Sequence, residues 1–129
     1  MDEKTSRHFA EIIELAQTVF ENVIYEIDAT PDRSILRITA EYGKYQILVT
    51  ELFSDGIRKY RYYVMHGDWI EAGFDNVPDP RAIRLKYGKI GAEHAGENVP
   101  HLHREDKAQL HLTEEMTFQD FVNWLKENS

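Results

Sequence analysis

The chain has 129 residues, 42% of them hydrophobic and 29% charged, no cysteine, and a formal net charge of −8. That is the size of one domain with apolar and aromatic side chains enough for a core, which argues against intrinsic disorder; the missing cysteine excludes disulfides, thiolate metal sites and cysteine nucleophiles. No apolar run approaches the roughly 18 residues of a membrane span, and the first twenty residues carry acids instead of a basic-then-apolar leader, so a cytoplasmic protein with no membrane association is expected.

The first element is an amphipathic helix. Phe9, Ile12, Ile13, Ala16, Val19 and Phe20 recur at the spacing of one helical face, and Glu11, Glu14 and Gln17 take the other. Thr5 or Ser6 is suited to cap it, with Asp2 and Glu3 near the positive end of its dipole. From Asn22 to Asp75 the period changes to two, and five strands are expected at about 23–29, 34–42, 45–53, 57–66 and 69–75. Their breaks at Pro31-Asp32, Gly43-Lys44, Asp55-Gly56 and Gly67-Asp68 suit tight turns and are too short for crossover helices, so an antiparallel meander follows.

Alternation sets Leu36, Ile38 and Ala40 on one face of the second strand and Ile35, Arg37 and Thr39 on the other. The third strand is apolar in both phases, as expected of a central strand covered on both sides. In the fourth, Arg58, Tyr60, Tyr62 and Val64 oppose Ile57, Lys59, Arg61, Tyr63 and Met65, so neither face is wholly apolar. Trp69 and Phe74 read as core. After Asn76, prolines and glycines punctuate an irregular segment whose helix-like stretch is Pro80 to Tyr87. Gln109 to Leu112 is a candidate sixth strand, and a helix from Phe118 to Lys126, opened by Thr117 and Asp120 as a capping box, closes the chain. The class is α+β: one domain spanning 1–129, with a five- to six-stranded antiparallel meander and an N-terminal and a C-terminal helix packed on it. There is no repeat and no Walker or dinucleotide glycine motif.

The acidity is uneven. Residues 57 to 89 carry seven basic and four acidic side chains, so a local anion site is compatible with the acidic whole. Arg58-Lys59-Tyr60-Arg61-Tyr62-Tyr63 interleaves cations and aromatics, a composition that grips phosphates and stacks bases, and equally one of a solvent-facing strand with tyrosine cross-strand pairs.

Four of the six histidines, His94, His101, His103 and His111, fall within eighteen residues. In extended chain His101 and His103 project to one side. Two neutral imidazoles and a carboxylate such as Asp75, Glu93 or Glu97 are a metal-binding set. Two imidazoles are also an acid/base pair for a phosphodiester, with Arg58, Arg61 or Arg37 stabilising charge on the phosphorus oxygens.

The order of these pieces resembles the TumE-like proteins of toxin-antitoxin modules. The resemblance rests on a tyrosine- and arginine-rich strand (Tyr60-Arg61-Tyr62-Tyr63), a strand ending in an Asp-Asn-x-Pro turn (Phe74-Asp75-Asn76-Val77-Pro78) and a Pro-His-x-His element (Pro100-His101-Leu102-His103-Arg104), and it covers about Ile35 to Arg104. Where that family commonly has histidine after the turn proline, this chain has Asp79-Pro80. The resemblance implies a toxin-like protein that acts on RNA, paired with a separately encoded helix-turn-helix antitoxin. His101 and His103 are then the acid/base candidates, Asp75 orients one imidazole, and Arg61 with Arg58 or Lys59 holds phosphate; Tyr62 and Arg37 complete the substrate contacts. This assignment uses no metal ligand and leaves any cofactor unknown. Alanine at both histidines is expected to abolish cleavage and leave thermal stability nearly intact.

Two rival readings are a non-enzymatic interaction module, whose acidic surface meets a basic partner, and a metal-dependent hydrolase. Convergence of His101, His103, Asp75 and Arg61 favours an enzyme, whereas histidines pointing to solvent far from the fourth strand favour the module. An exposed edge strand also permits a homodimer.

Overall fold

The computed structural model describes residues 1–88 and 93–128. Helix α1 (Glu3–Val19) begins earlier than expected because Asp2 is its N-cap. The Asp2 carboxylate accepts the Thr5 N–H at 2.7 Å, which leaves Thr5 and Ser6 inside the first turn. The strands are β1 (Glu21–Ala29), β2 (Arg33–Tyr42), β3 (Tyr45–Ser54), β4 (Ile57–His66), β5 (Trp69–Asp75), β6 (His101–Arg104) and β7 (Gln109–Leu112), with α2 (Pro80–Tyr87) between β5 and β6 and α3 (Phe118–Glu127) last.

The architecture is α+β, and the sheet order is β1 to β7 with every neighbouring pair antiparallel, the meander that the short turns dictate. It has seven strands instead of five or six. The added one is β6, whose four residues present too short an alternation to stand out in a proline- and glycine-punctuated segment. The expected capping box opens α3: the Thr117 hydroxyl oxygen accepts the Asp120 N–H and the Asp120 carboxylate accepts the Thr117 N–H, each at 3.0 Å. No helix among the described residues is long and apolar enough to cross a membrane.

The pleat sorts side chains onto two unlike faces. On one, Leu36, Ile38, Ala40, Ile47, Val49, Tyr60, Tyr62, Val64, Ala72 and Phe74 pack beneath Phe9, Ile12 and Ala16 of α1 and Phe118, Phe121, Val122 and Leu125 of α3. The two tyrosines of β4 are therefore core: Tyr62 stacks on Tyr60 and on Phe121, with ring centroids 5.0 and 5.3 Å apart. Phe74 is buried as expected, but Trp69, at the start of β5, is 44% exposed.

Among the described residues the opposite face is covered at the β5–β7 end, where Ala82 and Ile83 of α2 pack with Val99 and Leu110, and on β2 its Ile35 is buried as well. Over β3 it is open, and Leu48, Thr50 and Leu52 stay partly exposed, so the third strand is covered on one side and not on both. At the far edge β1 carries exposed Ile24, Tyr25 and Ile27. Phe121 links both halves of the aromatic core and is wholly buried. Phe121→Ala is expected to lower unfolding stability by about 3–5 kcal/mol in urea titrations; a loss below about 1 kcal/mol would contradict this packing.

Candidate functional site

The open face owes its chemistry to register. Asp75 pairs with His101 and Gly73 with His103, so one carboxylate and two imidazoles rise side by side from β5 and β6. Gly73 also faces Tyr63 of β4. A Cβ at Gly73 would lie 2.9 Å from the Tyr63 ring, so only glycine lets that ring lie flat across β5 and carry its hydroxyl to Asp75 Oδ2 at 3.0 Å. Beyond Asp75 the strand ends in an Asx turn, with Val77 N–H donating to Asp75 Oδ1 at 3.2 Å. Asn76 anchors that exit by accepting the Tyr60 N–H and donating to the Arg58 carbonyl, both at 3.0 Å. Three residues after Asn76, Asp79 caps α2, with Oδ1 accepting the Arg81 N–H at 2.8 Å and Pro80 supplying the first helical residue.

Four side chains converge as a result. His101 Nε2 lies 3.0 Å from Asp75 Oδ1 and 3.1 Å from His103 Nε2. His103 Nε2 lies 3.6 Å from Asp75 Oδ2, and Asp79 Oδ2 is 3.9 Å from both imidazole Nε2 atoms. Asp75, His101 and His103 are 1%, 0% and 2% exposed, whereas the Asp79 side chain keeps 18%. His101 Nδ1 sits 2.6 Å from the Val99 carbonyl, an acceptor only, so the proton is on Nδ1 and Nε2 faces the cluster. His103 Nδ1 is buried with no partner among the described residues, and nothing fixes its tautomer in the same way.

The electrostatics follow. Burial pushes the Asp75 carboxyl up, but hydrogen bonds from His101 and His103, the His101 charge and the Tyr63 hydroxyl outweigh it and hold Asp75 far below the usual carboxylate range. Burial likewise opposes charge on His101, and the Asp75 bond together with the Val99 carbonyl raises it above an ordinary histidine. The Tyr63 hydroxyl is pushed well up by burial and the Asp75 charge, so it remains a donor.

Of the other sequence-derived candidates, Arg61 pairs directly with Asp75 across β4 and β5. The row runs from Arg37 through Thr50 and Arg61 to Asp75 and His101 on one face, each step about 5 Å. Arg37 and Arg61 are exposed, and Lys59 is half-buried on the same face. Arg58 and Tyr62 are not with them. They point to the helix-covered face and belong to a second buried cluster around Glu51, which is 0% exposed. Glu51 accepts from Arg58 Nε at 3.0 Å, bonds His8 Nε2 at 2.9 Å and takes the Tyr62 hydroxyl. Arg58 also reaches the Met116 carbonyl at 2.7 Å and Glu115 at 3.3 Å, so it pins the approach to α3 and is not free to hold phosphate. Glu97 pairs with His94 and Tyr87 at 2.9 and 2.7 Å instead of joining the cluster; His111 lies on the helix-side phase of β7 and is exposed.

Tyr63, Asp79 and Glu51 escaped the sequence reading. Tyr63 shares the phase of Arg61, and Glu51 stands in the apolar phase of β3 with Ile47 and Val49; either phase relation was a usable signal. Asp79 had only its place before Pro80. The burial of both histidines also revises the expectation for alanine substitution: His101→Ala/His103→Ala opens a polar cavity under α2 and should cost several kcal/mol, about 2–5, so glutamine is the better probe of chemistry.

Burial raises the Glu51 carboxyl, but bonds from His8 and Arg58, the Arg58 charge and the Tyr62 hydroxyl outweigh it and hold Glu51 below an ordinary glutamate. A depressed carboxyl stabilises the fold fully above its unfolded value and loses that contribution as pH falls through the folded one. Glu51→Gln is therefore expected to lower stability at pH 7 by about 3 kcal/mol and to flatten its decline below about pH 4.5; parallel stability–pH curves for the two proteins would contradict this. Comparisons with protein-family models, curated proteins and solved structures found no match to this chain.

Proposed function

We propose that the chain is the toxin-like component of a toxin-antitoxin module and cleaves RNA, with the Asp75–His101–His103 cluster as its chemical centre. The observation that carries this reading is the single row across the open face, in which Arg37 and Arg61 lead to Asp75 and His101. Arg37 and Arg61 stand two strand spacings apart, roughly 10 Å between backbones, and two exposed guanidiniums on one face suit phosphates of a single strand, to which Lys59 adds a third cation on that side. Tyr63, partly exposed between Arg61 and the histidines, is the aromatic available to a base, the role first given to Tyr62.

In the direct form of the chemistry, His101 is the general acid, kept protonated by Asp75, and His103 is its proton-accepting partner. Arg61 then stabilises charge on the phosphorus oxygens. The 3.1 Å approach of the two Nε2 atoms favours a second form, in which the imidazoles act through a bound ion. The cognate partner in either form is a helix-turn-helix antitoxin, and the exposed β1 edge is the surface offered to a second copy of the chain.

The test is cleavage of mixed cellular RNA by purified protein, with and without chelator. His101→Gln/His103→Gln should abolish it with the circular dichroism spectrum retained. Arg37→Ala and Arg61→Ala should each weaken RNA binding about 10-fold, the worth of one charge-assisted bond, and together lower the salt slope by about 1.4. Absence of cleavage under every condition, or cleavage indifferent to the histidines, would sink the proposal.

A further inference from the structure

The two buried clusters flanking β4 differ in one respect. Around Glu51 each close contact joins a donor to an acceptor, as a structural ion pair requires. At Asp75 the His101 Nδ1 proton is committed to Val99, so in the neutral imidazole His101 Nε2 carries a lone pair, and it crowds His103 Nε2 at 3.1 Å and Asp75 Oδ1 at 3.0 Å, with Asp79 Oδ2 3.9 Å from both imidazoles. A single proton there satisfies one contact and leaves the rest facing one another.

We infer that Asp75, His101, His103 and Asp79 form a binding site for one divalent transition-metal ion, with Zn²⁺ the best match. Four ligands at 2.0–2.2 Å in tetrahedral array lie about 3.3–3.6 Å apart. Asp75 meets His101 through Oδ1 at 3.0 Å and His103 through Oδ2 at 3.6 Å, and the two Nε2 atoms are 3.1 Å apart, so these three residues offer ligand atoms all within 4.8 Å of one another. Asp79 Oδ2, 3.9 Å from both imidazoles, stands beside this group and must turn toward Asp75 to complete the shell. Two neutral imidazoles with two carboxylates carry −2, which a divalent cation cancels inside a buried site. A nitrogen and oxygen donor set without thiolate suits zinc and its neighbours in preference to calcium or magnesium.

The surroundings have the form of a ligand-orienting shell. The Val99 carbonyl fixes the His101 tautomer with Nε2 free to ligate, and Asp75 is aimed by the Tyr63 hydroxyl and the Val77 N–H. Asp79 is at once the N-cap of α2 and the partly exposed member, so the ion enters from its side and ties α2 to β5 and β6. Arg81, 3.6 Å from Asp79 Oδ2, is the cation it displaces.

The ion site stands on this geometry, and only its use in RNA cleavage rests on the function proposed above. The experiment takes the full chain, strips it with chelator, and titrates Co²⁺ by visible absorbance and Zn²⁺ by competition, with metal content measured per chain. The expected result is one ion per chain with the intense visible bands of tetrahedral Co²⁺ and a raised Tm. His101→Gln/His103→Gln should weaken binding at least about 100-fold and Asp79→Asn, which keeps the helix cap, about 10-fold, while His94→Ala leaves it unchanged. No stoichiometric binding by the wild-type chain overturns the site, as does binding that survives either cluster variant. Binding without RNA cleavage keeps the ion and discards the ribonuclease; cleavage by fully stripped protein keeps the ribonuclease and discards only the ion's part in the cleavage, the site itself being judged by the titration.

Discussion

The site depends on one carboxylate shared between two imidazoles below the protein surface. Asp75 is buried, anionic and in contact with His101 and His103, and the local chain is arranged around that demand. Gly73 clears room for the Tyr63 ring, Asn76 holds the strand exit through the backbone of β4, and Val99 fixes one imidazole from outside the sheet. Leaving such a carboxylate without partners costs several kcal/mol. The meander brings β6 next to β5 in the one phase that supplies them, since a slip of one residue would turn both histidines to the helix side.

Strand β4 separates two clusters of similar composition and opposite character. On the helix side, Glu51, Arg58, His8 and Tyr62 hold α1, the sheet and the approach to α3 together, and removing a partner exposes an unmet charge. On the open side, basic nitrogens approach one another beside two carboxylates, and one imidazole nitrogen has no partner among the described residues. Convergence of this kind, next to the exposed Arg37 and Arg61, is the observation on which the proposed function and the inferred ion site rest.

Much of this was legible in the residues because it rests on local periodicity. The tight turns forced the antiparallel order, the two-residue spacing of His101 and His103 put them on one side, and Arg61 fell in the phase that faces Asp75. What was not legible depended on partners distant in sequence. Arg58 and Tyr62 look like nucleic-acid contacts until Glu51 and α3 are seen to cover them, because a strand's alternation defines two faces without saying which one the helices will take. The burial of the histidines likewise accompanies the packing of α2 onto β7 and Val99, a tertiary event that four residues of strand pattern cannot announce. Asp79 entered the cluster by the same route, carried there as the helix cap.

The most direct test of the account is anomalous diffraction at the zinc edge from crystals of the zinc-loaded chain. The account predicts a single strong peak about 2.0–2.1 Å from Nε2 of both His101 and His103, with carboxylate oxygens of Asp75 and Asp79 completing the shell at about 2.0–2.2 Å. A cluster with no peak, its imidazoles closed on one another around a shared proton, would contradict it and return Asp75, His101 and His103 to the structural core.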